Sequence, residues 1–196
     1  MNCLNETDPD KNAISLLIRH SDRYSHGSYG PDPPLTERGI ENAVNLGKNL
    51  SSYTINKIIT TDVDRCFQTA SCIREGYKKY FDIDRSKTFG HLHYSDRKTA
   101  KVFLKTHGYD EFYKRIISDI DTPGVHNAVH FNKLMTAFLI SNTQDTGITI
   151  FVSHDINIAY YHYSINRTVY GRFYDINYLC GLILCYGKYV AEFHNV

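Results

Sequence analysis

Arginine, histidine and aspartate side chains recur where three strand-like segments of this chain end. The segments are the apolar runs at residues 14–18, 57–61 and 149–153. Six candidate site residues lie at or just after their carboxyl ends: Arg19, His20, Arg23, Arg65, His154 and Asp155. Because open α/β sheets bind ligands at the carboxyl ends of their strands, we expect these side chains to face one pocket.

The three arginines favour phosphoryl-transfer chemistry. A transferring phosphoryl group spreads negative charge over its oxygens, and a guanidinium fork binds two of those oxygens at once. Arg19, Arg23 and Arg65 are therefore predicted to bind the substrate phosphate.

The two histidines and Asp155 are predicted to supply the reactive groups. An imidazole can form a covalent phospho-intermediate, and nearby arginine charge favours its neutral form. We predict that His20 is the nucleophile and that His154 donates to the phosphoryl oxygens. Asp155 is predicted to protonate the leaving oxygen and later to take a proton from the attacking water.

Motifs around these residues form an ordered set. There are four: Arg-His-Ser-Asp-Arg at 19–23, Leu-Thr-Glu-Arg-Gly with a following Asn-Ala at 35–43, Thr-Asp-Val-Asp-Arg-Cys-Phe-Gln-Thr-Ala at 61–70, and Ser-His-Asp at 153–155. This order resembles the histidine phosphatase superfamily, which includes acid phosphatases, phytases and cofactor-dependent phosphoglycerate mutases. The resemblance implies that Arg65 is the second phosphate-binding arginine and that Asp155 is the proton donor, as in the acid phosphatase branch. Ser21 stands where that family usually has glycine, which affects the predicted shape of the turn but not the nucleophile.

The proton donor has an alternative in the insert that follows Arg65. In the mutase-like branch of the resembling family, a Glu of this insert is the donor. Here the insert offers Asp96, Asp110 and Glu111 without a recognisable motif. Asp155 is therefore preferred, and Asp96 is the alternative.

Strand and helix patterns alternate along the chain. Residues 87–92 are a further strand candidate, and the pattern predicts helices from the Thr36 cap to about residue 50, over 64–80, in short pieces over 95–123, and over 127–142. The last helix is expected to bury Val129, Leu134, Ala137, Phe138 and Ile140. The loop at 21–34 is long enough to fold over a site, and a hairpin turning at Gly187-Lys188 ends the chain. We predict one domain over 1–196, a three-layer α/β/α sandwich with a mostly parallel central sheet and a small cap insert at about 81–126.

Composition places the chain among soluble globular proteins. With 42% hydrophobic and 22% charged residues, net charge +1 and pI about 7.7, it lacks the basic excess of a nucleic-acid binder. No apolar run reaches the length of a membrane span, and the polar first eleven residues lack a signal-peptide core. Five cysteines without paired spacing fit a reducing compartment, so we expect a cytoplasmic protein. Its oligomeric state cannot be predicted from these features.

Other phosphatase and hydrolase chemistries match the sequence less well. Asp62-Val63-Asp64 is reminiscent of magnesium-dependent aspartyl phosphatases, but Arg65 and Cys66 follow where Thr or Val is expected. The pairs His126/His130 and His91/His93 make a zinc site conceivable, yet Asn127 replaces the Glu of a zinc protease. The sequence has neither the Cys-to-Arg spacing of cysteine phosphatases nor a glycine-rich phosphate loop.

The expected function is a metal-independent phosphomonoesterase without a cofactor, acting through phosphohistidine on a phosphorylated small molecule. The alternatives are a protein phosphohistidine phosphatase and a non-catalytic phosphate-recognising module, whereas a mutase is disfavoured by the missing Glu motif. Basic and aromatic residues of the cap indicate only that an additional negative group could be accommodated: His91, His93, Tyr94, Arg97, Lys98, Lys101 and Lys105.

Overall fold

A computed structural model describes residues 8–29, 32–166 and 176–194. Its strands are β1 (Ala13–Arg19), β2 (Ile55–Thr61), β3 (Asp82–Ser86), β4 (Gly147–Ser153), β5 (Gly181–Cys185) and β6 (Lys188–Phe193). Its helices are α1 (His26–Tyr29), α2 (Glu37–Asn49), α3 (Asp64–Tyr77), α4 (Arg97–His107), α5 (Tyr109–Ile117), α6 (Ala128–Asn142) and α7 (Asp155–Asn166), with a 3-10 turn at Phe89–His91. None of the helices within these ranges is long and apolar enough to cross a membrane.

The six strands form one sheet in the order β3-β2-β4-β1-β5-β6. β1 to β4 run parallel, whereas β5 is antiparallel to β1 and β6 is antiparallel to β5. Arg19 at the end of β1 is in register with Ser153 at the end of β4, and Thr60 of β2 is in register with Val152. The carboxyl ends of three neighbouring strands therefore open on the same edge of the sheet.

Helices cover both faces of this sheet. Leu16 and Ile18 of β1 pack toward α2 and α3, and Leu17 between them packs toward α5, α6 and α7. Strands buried on both faces carry continuous apolar runs rather than alternating ones, as β1 and β4 do. The predicted three-layer fold with a mostly parallel sheet is confirmed.

Two predicted elements differ from the structure. The third strand is 82–86 rather than 87–92, which instead holds the 3-10 turn. Helix α6 buries Ala128, Phe131, Met135 and Leu139, while Val129 and Ile140 are half exposed. This helix is apolar on most of its circumference, so periodicity alone does not select the buried side. Residues 81–126 supply β3, α4 and α5, and the assignment of this insert as the cap of a single domain stays a prediction.

Candidate active site

His20 follows β1 and is held from two sides. Its backbone N–H donates to the Ser153 carbonyl of β4 (3.0 Å), and the side chain is almost fully buried. Nδ1 lies 2.8 Å from the Ser21 carbonyl, which can only accept, so Nδ1 carries the proton. Nε2 in turn accepts from Arg65 Nε at 3.0 Å. These two contacts fix the tautomer and leave the Nε2 lone pair on the side of Arg65.

The surroundings of His20 keep the ring neutral. Burial lowers the pKa of His20 well below its usual value, and the positive charges near it, of His154 when protonated and of Arg65, lower it further. The uncharged imidazole, whose Nε2 lone pair faces Arg65, is the form that can attack phosphorus.

His154 lies across from His20 at the end of β4. The two ring centroids are 5.5 Å apart and the rings are inclined by 70°. His154 Nδ1 is 3.4 Å from Arg65 Nη2, and Nε2 is 3.4 Å from Thr61 Oγ1, so the proton belongs on Nε2. Burial, followed by the charge of Arg65, lowers the pKa of His154 to about 3.

Arg65 connects the two histidines and is itself held by Asp32. It lies in the first turn of α3, where Nη1 pairs with Asp32 Oδ1 at 2.7 Å. The other oxygen of Asp32 accepts from the Asp64 backbone N–H at 3.1 Å. The loop at 21–34 thus contributes a carboxylate that orients the arginine. Nothing in the Pro-rich sequence around Asp32 indicated this contact.

Arg19 contacts Asp155 rather than an open anion site. Its Nη2 is 2.8 Å from Asp155 Oδ2, its Nη1 donates to the Ile176 carbonyl at 2.7 Å, and its guanidinium lies 4.3 Å from the centroid of the Tyr178 ring. Asp155 begins α7 and accepts from the Ile156 N–H at 2.8 Å through its second oxygen. Both carboxylate oxygens therefore face donors. Nothing in the residues around Tyr178 indicated its contact with Arg19.

Arg23 lines the same cavity, and Asp96 does not. Arg23 Nη1 donates to the Tyr24 carbonyl at 3.0 Å, and its Nε has no partner among the described residues. Asp96 is exposed at the start of α4, where it accepts from Lys98 N–H and from Thr99 Oγ1. Since its oxygens cap a helix outside the cavity, the geometry favours Asp155 over Asp96, and the assignment of the proton donor stays a prediction.

The cavity that these residues line has a volume of about 700 Å³. Thirteen further residues line it, most of them in or beside the 3-10 turn, α4 and α7: His26, Val63, Gly90, His91, His93, Tyr94, Arg97, Lys101, Leu104, Tyr109, Ile156, Asn157 and Tyr178. All six residues predicted from strand ends therefore meet at one cavity, although Arg19 and Asp155 meet as an ion pair.

The rival chemistries gain no support from the described residues. His126 and His130 lie side by side, with ring centroids 4.3 Å apart, but no group of three or more metal-ligating side chains occurs in the described ranges. Cys66 lies 3.9 Å from His154 Nε2, and burial raises the pKa of its thiol to about 12. A thiol in that state is a poor nucleophile.

Comparison with known families identifies the class of protein. The family model of the histidine phosphatase superfamily (branch 1) matches residues 15–158, which include all six candidate site residues. The chain belongs to the histidine phosphatase superfamily, whose members include phosphatases and mutases. No curated protein matches the sequence significantly.

Solved structures share the fold at low sequence identity. Phosphoglycerate mutase from Bacillus anthracis has a TM-score of 0.63 at 16% identity, covering 97% of this chain and 95% of that one. The mycobacterial glucosyl-3-phosphoglycerate phosphatase has a TM-score of 0.61 at 15% identity, covering 94% and 99%. Phosphoserine phosphatase from Entamoeba histolytica has a TM-score of 0.57 at 15% identity, covering 93% and 97%. At these identities the likeness establishes the fold.

Proposed function

We propose that this protein is a metal-independent phosphomonoesterase that hydrolyses a phosphorylated small molecule through a phosphohistidine at His20. The observation that carries the proposal is the state of His20: a buried, neutral ring whose Nε2 lone pair faces Arg65 in a cavity lined by further arginines. Membership of the superfamily supports phosphoryl chemistry at this site.

In the first step, the Nε2 lone pair of His20 attacks phosphorus and the bond to the leaving oxygen breaks. Arg65 donates to Nε2 in the free protein. As the phosphoryl oxygens approach, it would exchange this hydrogen bond for hydrogen bonds to those oxygens. Arg23 lies at the same cavity, its Nε has no partner in the described part of the chain, and it would add a further donor. Their fixed charges stabilise the transition state more than the ground state.

In the second step, water attacks the phosphohistidine and the nitrogen–phosphorus bond breaks, which returns the lone pair to His20. Asp155 is proposed to give its proton to the leaving oxygen in the first step and to recover one from the water. Its Oδ2 pairs with Arg19 and its Oδ1 accepts from the Ile156 N–H, and these contacts hold the carboxylate in place at the edge of the cavity.

Hydrolysis is proposed over mutase transfer because the cap insert lacks the mutase-type Glu motif. Structures of similar fold include both phosphatases and a mutase, so the choice rests on the missing motif. The size of the cavity favours a small-molecule ester over a phosphohistidine on a protein surface.

Trapping the intermediate tests the proposal. Phosphate release from aryl and alkyl phosphates is measured with and without chelator, and the reaction is quenched without acid to retain phosphate on histidine. We expect activity to survive chelation, vanadate to inhibit, and His20→Ala to lose both turnover and the trapped phosphate. His130→Ala, on the exposed side of α6, is the matched control. Full turnover by folded His20→Ala, or loss of activity on chelation with recovery on adding metal, would contradict the proposal.

A further inference from the structure

The cavity is much larger than the phosphate that the six site residues would hold. Its volume of about 700 Å³ lies in the range of sites that enclose a whole small molecule. The space extends from His20 to the 3-10 turn and α4, so it is the group esterified to the phosphate that must contact these elements.

Two cations line this far part of the cavity without an acidic partner. Arg97 and Lys101 are one helical turn apart on α4, so they project from the same side of the helix. Neither makes an ion pair within the described ranges, in contrast to Arg19 and Arg65, which pair with Asp155 and Asp32. Two neighbouring cations that have no acidic partner attract an anion when they lie in a concave wall.

Positive charge is concentrated in the cavity, whereas the chain as a whole is nearly neutral. Five cationic side chains line it against a single described carboxylate, that of Asp155, although the net charge of the whole protein is only +1. Burial, followed by the charge of Arg97, lowers the pKa of His91, so this ring adds no positive charge to the wall. Arg97 and Lys101 are thus the cations on this wall.

A buried polar pair lies between these cations and the catalytic end. His93 is 3% exposed and Asn157 is fully buried, and no hydrogen bond of good geometry joins either ring nitrogen of His93 or Oδ1 of Asn157 to another described residue, although the two side chains are close enough to interact. Asn157 Nδ2 donates to Ser153 Oγ at 3.0 Å, which holds the amide against the end of β4. Even if His93 turned to bond Asn157 Oδ1, one ring nitrogen would stay unpaired. Such groups are rare in native interiors, and a ligand that bonds them accounts for them.

We propose that the natural substrate is a phosphomonoester whose leaving group carries a second anionic group, bound by Arg97 and Lys101, and a hydroxyl that bonds His93 or Asn157. This inference rests on the proposed phosphatase function. The second anion is a carboxylate or a phosphate, both of which an arginine and a lysine bind.

A series of esters with equal chain length tests the anion. Propyl phosphate, the phosphate ester of hydroxypropanoate and propanediol bisphosphate differ only at the end remote from the reacting phosphate. We expect kcat/KM to be higher on the order of tenfold for at least one charged ester, and the better of the two identifies the anion. The preference should decline with added salt. Arg97→Ala and Lys101→Ala should each reduce the ratio between charged and uncharged ester toward one.

Lys98→Ala and Lys105→Ala are matched controls on the same helix, because neither lysine lines the cavity. Both should retain the wild-type ratio. Equal kcat/KM for all three esters, or the same loss of preference in these controls, would overturn the inference. Failure to release phosphate from any ester, including an activated aryl phosphate, would instead overturn the proposed function.

Glycerol phosphate compared with propyl phosphate tests the hydroxyl. We expect the hydroxylated ester to be the better substrate in the wild type and the advantage to shrink in His93→Gln. The melting temperature of this variant, with and without inorganic phosphate, separates a folding defect from a lost contact. Equal kcat/KM for the two esters in the wild type would overturn this part of the inference.

Discussion

Arg65 occupies the position at which a substrate phosphate would bind, because its Nε donates to the nucleophilic nitrogen of His20. Asp32 holds the other end of the guanidinium, so the side chain is oriented before substrate arrives. Because Asp32 anchors Nη1, the guanidinium needs only a limited rearrangement to turn its Nε N–H from His20 to the phosphoryl oxygens. The same contact keeps the Nε2 lone pair of His20 directed into the cavity.

Removing this arginine should therefore impair catalysis strongly. We expect Arg65→Ala to lower kcat/KM for an aryl phosphate by on the order of 100-fold, equivalent to about 3 kcal/mol of transition-state stabilisation. Arg74→Ala is a suitable control, since Arg74 lies on the same helix and contacts the Phe81 carbonyl outside the cavity. An effect of Arg65→Ala no larger than that of the control would place Arg65 outside the reaction.

Leaving groups of different basicity test the role of Asp155. If its carboxyl protonates the leaving oxygen, Asp155→Asn should slow alkyl phosphates by at least about tenfold more than an activated aryl phosphate, which departs without a proton. The comparison uses kcat/KM for both esters in the wild type and the variant. A uniform loss would instead indicate that Asp155 acts by positioning Arg19, with which it pairs at 2.8 Å.

The residues that the sequence indicated are those that follow a strand directly. His20, Arg65 and His154 were predictable because parallel strands bring their carboxyl ends to one edge. Asp32 and Tyr178 were not, since each reaches the site from a loop whose course depends on tertiary packing. The sequence could not separate Asp96 from Asp155 because a carboxylate before a helix serves equally well as an N-cap, and Asp96 caps α4 here.

At the scale of elements, α2 and α3 illustrate a contact that hydrophobic patterns do not reveal. Gly47 of α2 and Gly76 of α3 let the two helix backbones approach closely: a Cβ on Gly76 would collide with the Val44 carbonyl, and one on Gly47 with the Ile73 carbonyl. Pattern analysis treats such glycines as weak helix formers. Here the absence of a side chain is what permits the packing that supports Arg65.

A methyl group at this contact should separate the helices. We expect Gly76→Ala to lower the free energy of unfolding by about 2 kcal/mol or more, because the obstacle is backbone and has no rotamer to change. Urea unfolding measures the loss. Gly27→Ala in α1 is the control, since an added Cβ there meets nothing within 4 Å. Equal stabilities of the two variants would show that α2 and α3 can move apart freely.

Whether a segment forms a strand or a helix was easier to predict from the sequence than which of its faces is buried. β1 and β4 are long apolar runs flanked by polar turns, and Thr36 caps α2 as predicted by accepting from the Gly39 N–H. β3 was misplaced because it is an edge strand whose residues are mostly polar, so its position depends on pairing with β2. The buried side of α6 is decided by α7 and the sheet rather than by its own sequence.

At the scale of the whole molecule, electrostatic repulsion within the positively charged cavity is limited because its buried histidines are uncharged. Burial lowers the pKa of His93 and of His154 to about 3 in the folded protein. In the unfolded chain the same rings take up a proton near the ordinary value of 6.5. Between these values the unfolded state binds more protons than the folded state.

Stability should therefore be complete above about pH 6.5 and fall as the pH decreases toward about 3, by up to about 1.4 kcal/mol per pH unit for each buried histidine. Urea unfolding at a series of pH values from about 7.5 to about 5 measures this slope. His93→Gln removes one titrating ring and should make the dependence shallower, whereas His130→Gln on the exposed side of α6 should not. If both variants keep the wild-type slope, His93 takes up its proton in the folded protein as readily as in the unfolded chain, and the acid sensitivity must come from other groups.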